Sequence, residues 1–239
     1  MTQLKPHQDS NSLDLEKSEE LDSHVSPWLA RILYPIGCYL VIPLFFGKIQ
    51  IEGQENIPLH EPVIVAPTHR SRWDALIVPY ALGRLVSDRD LRFMVSANEV
   101  KGIQGWIIRR MGGFPVDTDR PQLSSVHHSV KLLEQREMLV IFPEGGIFND
   151  YEIHPLKRGA ALIALQAQTD RPEKEVKILP VTISYSQPYP SWGTKVKVNI
   201  GSPLTVNKYL DKSLRRSSQK LTNALQETLQ KLYKSLNWF

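Results

Sequence analysis

The chain holds a single cysteine, Cys38, in 239 residues, which excludes an internal disulfide and a cysteine-built metal site and suits a reducing compartment. It has no Gly-x-Ser-x-Gly elbow, no glycine-rich phosphate loop, no zinc spacing and no nucleic-acid motif. A serine nucleophile, a bound nucleotide, a metal and a DNA or RNA partner therefore have no carrier in this sequence. His127 and His128 lack an acidic residue at metal-ligand spacing and read as surface or packing residues. No basic segment leads into an apolar core and a small-residue cleavage site, so no secretory signal is expected. Long apolar runs are scarce as well. The most apolar segment is free of charge over only 16 residues, 32–47, short of the roughly 20 a spanning helix needs, and Pro35 and Pro43 interrupt it. One or two short helices at 26–47 are expected, lying in a membrane interface with Trp28, Tyr34, Tyr39, Phe45 and Phe46 as anchors. The competing reading is a buried helix pair.

An apolar fraction of 41% supports one sizeable domain with appendages. The formal charge of +4 is unevenly placed: residues 1–25 set six acids against Lys5 and Lys17, a net −4 that leaves +8 on the rest. Residues 1–25 read as a flexible acidic tail, and the remainder as a basic body suited to an anionic lipid surface or an anionic substrate.

From residue 48 onward, short extended runs alternate with helical periodicity. Strands are expected at 49–52, 63–66, 92–96, 114–116, 138–142, 178–184 and 196–200, and helices at 73–85, 100–111, 123–135 and 157–168. This predicts an α/β fold, a mixed and mostly parallel sheet flanked by helices, over residues 48–205. Residues 206–239 carry leucines at helical intervals from Leu210 to Leu236, with lysines and arginines on the other face. A basic amphipathic helix of this kind packs on its domain or lies on an anionic bilayer. Trp106 and Trp192 line an acyl groove or belong to the core.

One stretch concentrates chemistry. The run Val63-Ile64-Val65-Ala66-Pro67 ends in Thr68-His69-Arg70-Ser71-Arg72-Trp73-Asp74, just before an apolar helical segment. Two residues five apart on one helix are rotated by roughly 140°, so His69 and Asp74 meet only if the histidine lies outside the helix. Ser71 is a candidate N-cap, which places Asp74 in the first turn, within reach of an imidazole folding back from the preceding loop. A carboxylate on one imidazole nitrogen fixes the tautomer and makes the other nitrogen a general base. The alternative is that Asp74 only caps the helix and His69 is an ordinary loop residue. In an open α/β sheet ligands bind beyond the carboxyl ends of strands, where His69 and Glu144 both fall.

Four clusters occur in order: Thr68 to Asp74; Gly112-Gly113-Phe114-Pro115-Val116-Asp117-Thr118-Asp119-Arg120; Phe142-Pro143-Glu144-Gly145-Gly146; and Ile178-Leu179-Pro180-Val181-Thr182-Ile183. With the opening Ile51-Glu52-Gly53-Gln54-Glu55-Asn56-Ile57-Pro58 and the step Lys157-Arg158-Gly159-Ala160, this resembles the glycerolipid acyltransferase family, the 1-acylglycerol-3-phosphate acyltransferase type, from about residue 48 to 201.

The resemblance implies transfer of a fatty acyl group from a thioester, on acyl-carrier protein or coenzyme A, to the hydroxyl of a membrane-embedded lysolipid. The leading product is phosphatidate, and no further cofactor is required. His69 would be the base, Asp74 its orienting partner and Glu144 a contact to the acceptor. Backbone amides at Gly145-Gly146 or near Ser71 would hold the oxyanion. Arg120 is the candidate phosphate contact, displaced by two positions from the family's arginine, where this chain has Thr118. Gly146 and Ile147 replace the usual threonine and arginine. These changes shift phosphate binding toward Lys157 and Arg158, or point to another lysophospholipid or a neutral lipid alcohol. A non-catalytic lipid-binding protein of the same fold is the rival from outside the enzyme class. The expected location is peripheral or monotopic, on the cytoplasmic face of a membrane.

Overall fold

The computed structural model describes residues 23–117 and 122–234. The expected acidic tail falls almost wholly outside the described residues, as does Arg120.

Every residue of β2 (Val63–Pro67) is buried. A strand covered on both faces has no polar side to alternate with, which is the pattern of a parallel-sheet interior. β2 lies between β5 (Met138–Val140) and β6 (Lys177–Tyr185), parallel to both, with Val63 opposite Met138 on one side and Lys177 on the other. The parallel array continues from β5 to β3 (Leu91–Ser96) and β4 (Gly113–Val116). Beyond β6 the direction reverses: β7 (Lys195–Ile200) runs antiparallel to β6, and β1 (Lys48–Glu52) pairs with β7. The order is β1-β7-β6-β2-β5-β3-β4, and a short β8 (Leu204–Thr205) pairs with the start of β6. The architecture is the expected mixed, mostly parallel α/β sheet.

Alternation along the strands divides the interior in two. Ile64, Ala66, Leu139 and Ile178 point into a core shared with α6 (Leu123–Glu134), α7 (Gly159–Asp170) and α8 (Leu214–Lys234). Val63, Val65, Met138, Val140, Leu179 and Val181 point into a second core, closed by α3 (Asp74–Leu82) and the N-terminal helices. The helix expected at 73–85 is two helices, because extended Gly83 separates α3 from α4 (Arg84–Ser87). The C-terminal helix starts at Leu214, after a 3-10 turn at Val206–Tyr209, and buries Leu221, Leu225 and Leu229 against the domain.

The N-terminal segment departs from expectation. Pro35 and Pro43 do not break it: α1 (Pro27–Pro35) passes through a π-helical turn, Ile36–Val41, into α2 (Ile42–Phe45), one helical rod of 19 residues. The prolines sit near the junctions where the hydrogen-bond ladder changes register, so their missing N–H groups cost little there. By length and composition the rod is able to cross a membrane. It nevertheless buries a strict four-residue stripe, Ala30, Tyr34, Cys38, Ile42 and Phe46, against the domain. Four-residue steps overshoot an α-helical turn by about 40° each, and the wider π turn returns part of that drift, which keeps the stripe on one face. Of the expected anchors, Tyr34 and Phe46 thus face the protein, Phe45 packs on Trp73, and Trp28 and Tyr39 are exposed.

Candidate active site

Thr68 extends the β2 ladder by one residue. Its N–H donates to Val181 O, and its hydroxyl both accepts from Ile183 N and donates to Ile183 O. The chain then turns, and Ser71 caps that turn: its Oγ accepts from Trp73 N, while Asp74 Oδ2 reaches back to accept from Ser71 N at 2.9 Å. Only the carboxylate half of the expected capping box is present: α3 begins at Asp74 with Trp73 at its N-cap, and the Ser71 hydroxyl closes the turn one residue earlier, while Asp74 sits in the first turn as its spacing predicts.

Asp74 is fully buried, and each of its oxygens is engaged. Oδ2 accepts from His69 Nδ1 at 2.9 Å, from Arg70 N at 2.6 Å and from Ser71 N. Oδ1 accepts from the Tyr185 hydroxyl at 2.6 Å. A carboxylate held by these donors requires the proton on Nδ1 of His69, which leaves the Nε2 lone pair as the basic site. The ring stacks on Phe142 at 3.9 Å and stays 18% exposed at its side chain, packed yet reachable. Burial, reinforced by the Asp74 charge, pushes the Tyr185 hydroxyl far above the ordinary phenol range, so it stays a donor.

Glu144 follows β5, and the structure places it differently from an acceptor contact. Its buried Oε2 accepts from His69 N (3.0 Å) and Arg70 Nη1 (2.9 Å), and Oε1 from Arg70 Nη2 (3.0 Å) and His154 N (2.9 Å). Four donors on two oxygens hold the His69 loop against the β5–α7 connection and leave little to offer a ligand. The Arg70 fork also donates to Glu152 O at 2.5 Å, and its guanidinium lies 5.8 Å from the Tyr233 ring of α8. Asn149 Nδ2 donates to Arg70 O, and Phe148 N donates to His69 O. The long connection from β5 to α7 is therefore wrapped around residues 69–71.

The remaining candidates divide. Gly145 has φ +73°, and a Cβ there would lie 2.5 Å from Lys157 Cε, so Lys157 lies across the glycine turn. The Gly145 amide donates to Phe142 O and the Ser71 amide to Asp74, which removes both from the set of oxyanion donors. A Cβ added at Gly146 would meet only the Phe148 ring, at an ordinary 3.5 Å. Arg158 lines an open groove of about 640 Å³ together with Ser213, Arg215, Arg216 and Gln219 of the α8 region. Trp106 and Trp192 are both exposed and belong to no core. Arg70 and Tyr185 carry the site's structure yet had no signal in the sequence, since their partners are 74 and 111 residues away.

The model of the Acyltransferase family matches residues 48–184, which spans all four clusters. The chain belongs to the acyltransferase family. This acyltransferase is 28% identical over 213 residues to the 1-acyl-sn-glycerol-3-phosphate acyltransferase of Streptococcus pneumoniae, covering 84% of this chain and 74% of that protein. It is 28% identical to the enzyme of that name from Bacillus subtilis, covering 80% and 91%. The crystal structure of the 1-acyl-sn-glycerophosphate acyltransferase of Thermotoga maritima superimposes with a TM-score of 0.64 at 20% identity, covering 88% of this chain and 81% of that one, which bears out the fold. The resemblance drawn from the ordered clusters is borne out by these relatives, and the chain is an O-acyltransferase.

Proposed function

We propose that this O-acyltransferase moves a fatty acyl group from a thioester of acyl-carrier protein or coenzyme A to the free hydroxyl of 1-acylglycerol-3-phosphate, giving phosphatidate. The observation that carries the reading is the His69–Asp74 pair, 2.9 Å apart, with the carboxylate buried and the imidazole partly exposed. His69 Nε2 takes the acceptor's hydroxyl proton as its oxygen attacks the thioester carbon, and Asp74 stabilises the imidazolium that results. The tetrahedral intermediate collapses by breaking the carbon–sulfur bond, and the imidazolium returns the proton to the departing thiolate. With the Gly145 and Ser71 amides occupied, the Gly146 amide is the donor assigned to the oxyanion. Lys157, lying over Gly145, is assigned to the acceptor phosphate, and Arg158 with Arg215 and Arg216 adds to the positive field nearby. Glu144 and Arg70 act on the reaction through the loop they hold. Residues 48–205 form the catalytic unit of this reading, and the exposed face of the N-terminal rod rests on the cytoplasmic surface of a membrane, the side that supplies the donor.

A second acceptor class, a lysolipid with no exposed phosphomonoester, is favoured by Gly146 and Ile147, neither of which offers a phosphate a side-chain donor. Labelled acyl donor presented with a panel of lysolipids separates the two by relative kcat/KM. The His69→Ala protein should retain its fold and lose acyl transfer on every acceptor; full turnover by that variant would remove the assigned base.

A further inference from the structure

A surface helix ordinarily turns its apolar stripe toward the core. α5 (Gly102–Arg110) does the reverse: its one buried residue is Gly105, and Ile103, Trp106 and Ile107, spaced i, i+3, i+4, face outward. Ile103 is 81% exposed and Trp106 45%. The inner contact is so close that a Cβ on Gly105 would lie 2.4 Å from the Val100 carbonyl carbon. α5 contains no acidic residue, and Lys101, Arg109 and Arg110 sit at its two ends, with the Arg110 guanidinium 4.8 Å above the Trp106 ring. Apolar side chains pointing out between basic ends suit the boundary of an anionic bilayer.

The helix is tied at both ends. Its C-terminal end meets the start of the rod, through Ser26 N donating to Arg110 O and a bridge between Val25 and Met111. Its N-terminal end meets the catalytic loop: Arg72 forks onto Glu99 at 2.8 and 3.2 Å, and Gln104 Nε2 donates to the same carboxylate. The far end of the rod reaches that loop too, since Phe45 stacks on Trp73 at 4.2 Å. The rod and α5 thus meet each other at one end and flank residues 72 and 73 at the other.

We infer that α5 is a second bilayer contact, which with the exposed face of the rod forms a frame around the opening at His69 and seats that opening on an anionic lipid surface. This rests on the proposed lipid acceptor, but its test reads position rather than turnover. Cys38 is the only cysteine in the chain, so Ile103→Cys in a Cys38→Ser background accepts one environment-sensitive dye. Leu40→Cys on the exposed face of the rod and Glu173→Cys in the loop before β6 serve as references. On vesicles of equimolar phosphatidylcholine and phosphatidylglycerol, the dyes at 103 and 40 should both shift to the blue and be quenched by brominated acyl chains, while the dye at 173 stays in water. Vesicle flotation of Ile103→Asp/Trp106→Ser should fall by about tenfold or more, and of Arg109→Gln/Arg110→Gln by roughly fivefold per charge at low salt. A dye at 103 that remains in water while that at 40 enters lipid overturns the inference. So does a blue shift at 103 that appears without lipid and grows with protein concentration, which would assign the face to a second copy of the chain. Either result leaves the His69→Ala experiment, and hence the proposed reaction, untouched.

Discussion

The Tyr185 hydroxyl donates to Oδ1 of Asp74 at 2.6 Å across 111 residues of chain, joining the end of β6 to the helix that follows β2. The carboxylate paired with His69 is therefore clamped both from the loop after β2 and from β6, and its own geometry depends on the sheet order.

Asp74→Asn keeps the shape of the site but offers an amide where Nδ1 of His69 donates, which favours the wrong tautomer. We expect kcat to fall by roughly 10²–10⁴ with KM little changed. Because the two residues act as a unit, the double variant His69→Ala/Asp74→Asn should be hardly worse than His69→Ala alone. Steady-state rates for the three proteins check this.

Tyr185→Phe leaves a buried carboxylate oxygen without its donor. The expected loss of stability is about 1–3 kcal/mol, measured by chemical denaturation. The kcat should fall by less than for Asp74→Asn, since the Nδ1 contact survives.

The same hydroxyl makes a pH prediction. Its folded pKa is raised, by burial and then by Asp74, so in the folded state it holds its proton where the unfolded phenol, near pH 10, releases it. Its contribution is fully present below that pH and is lost as pH climbs toward the folded value. Wild-type stability should thus fall above pH of about 10 more steeply than that of Tyr185→Phe; parallel profiles would refute the assignment.

Glu144→Gln strands the buried Arg70 guanidinium and removes an acceptor from the His69 loop. Breaking one partner of such a pair costs about 3–5 kcal/mol, so a large drop in Tm is expected together with lost activity. Glu144→Gln that is stable and impaired only in acceptor KM would instead restore Glu144 to the acceptor contact read from its cluster.

Gly145→Ala forces a side chain into a left-handed backbone and against Lys157, at a cost of about 1–3 kcal/mol and a raised acceptor KM. Gly146→Ala meets only an ordinary contact at 3.5 Å from Phe148 and should be nearly neutral in stability. Thermal melts of the two variants give the contrast.

The strands were legible because apolar β-branched runs such as 63–66 and 178–184 have little else to do in a chain of this polarity. The His69–Asp74 pair was legible because Ser71 and Asp74 obey the local chemistry of a helix start. Tyr185 and Arg70 were not, since a contact between distant segments leaves no periodicity behind. Glu144 was found by its cluster yet given a different place by a fork that spacing does not predict. The continuous rod was not legible for a physical reason: two prolines signal breakage in an α-helix, but not where a π turn shifts the ladder between them.

The stripe from Ala30 to Phe46 has a topological consequence. While those side chains stay seated on the domain, the rod cannot thread through to the far side of a bilayer without dragging the sheet after it. On the proposed reading, then, newly acylated lipid is left in the one leaflet on which the rod rests.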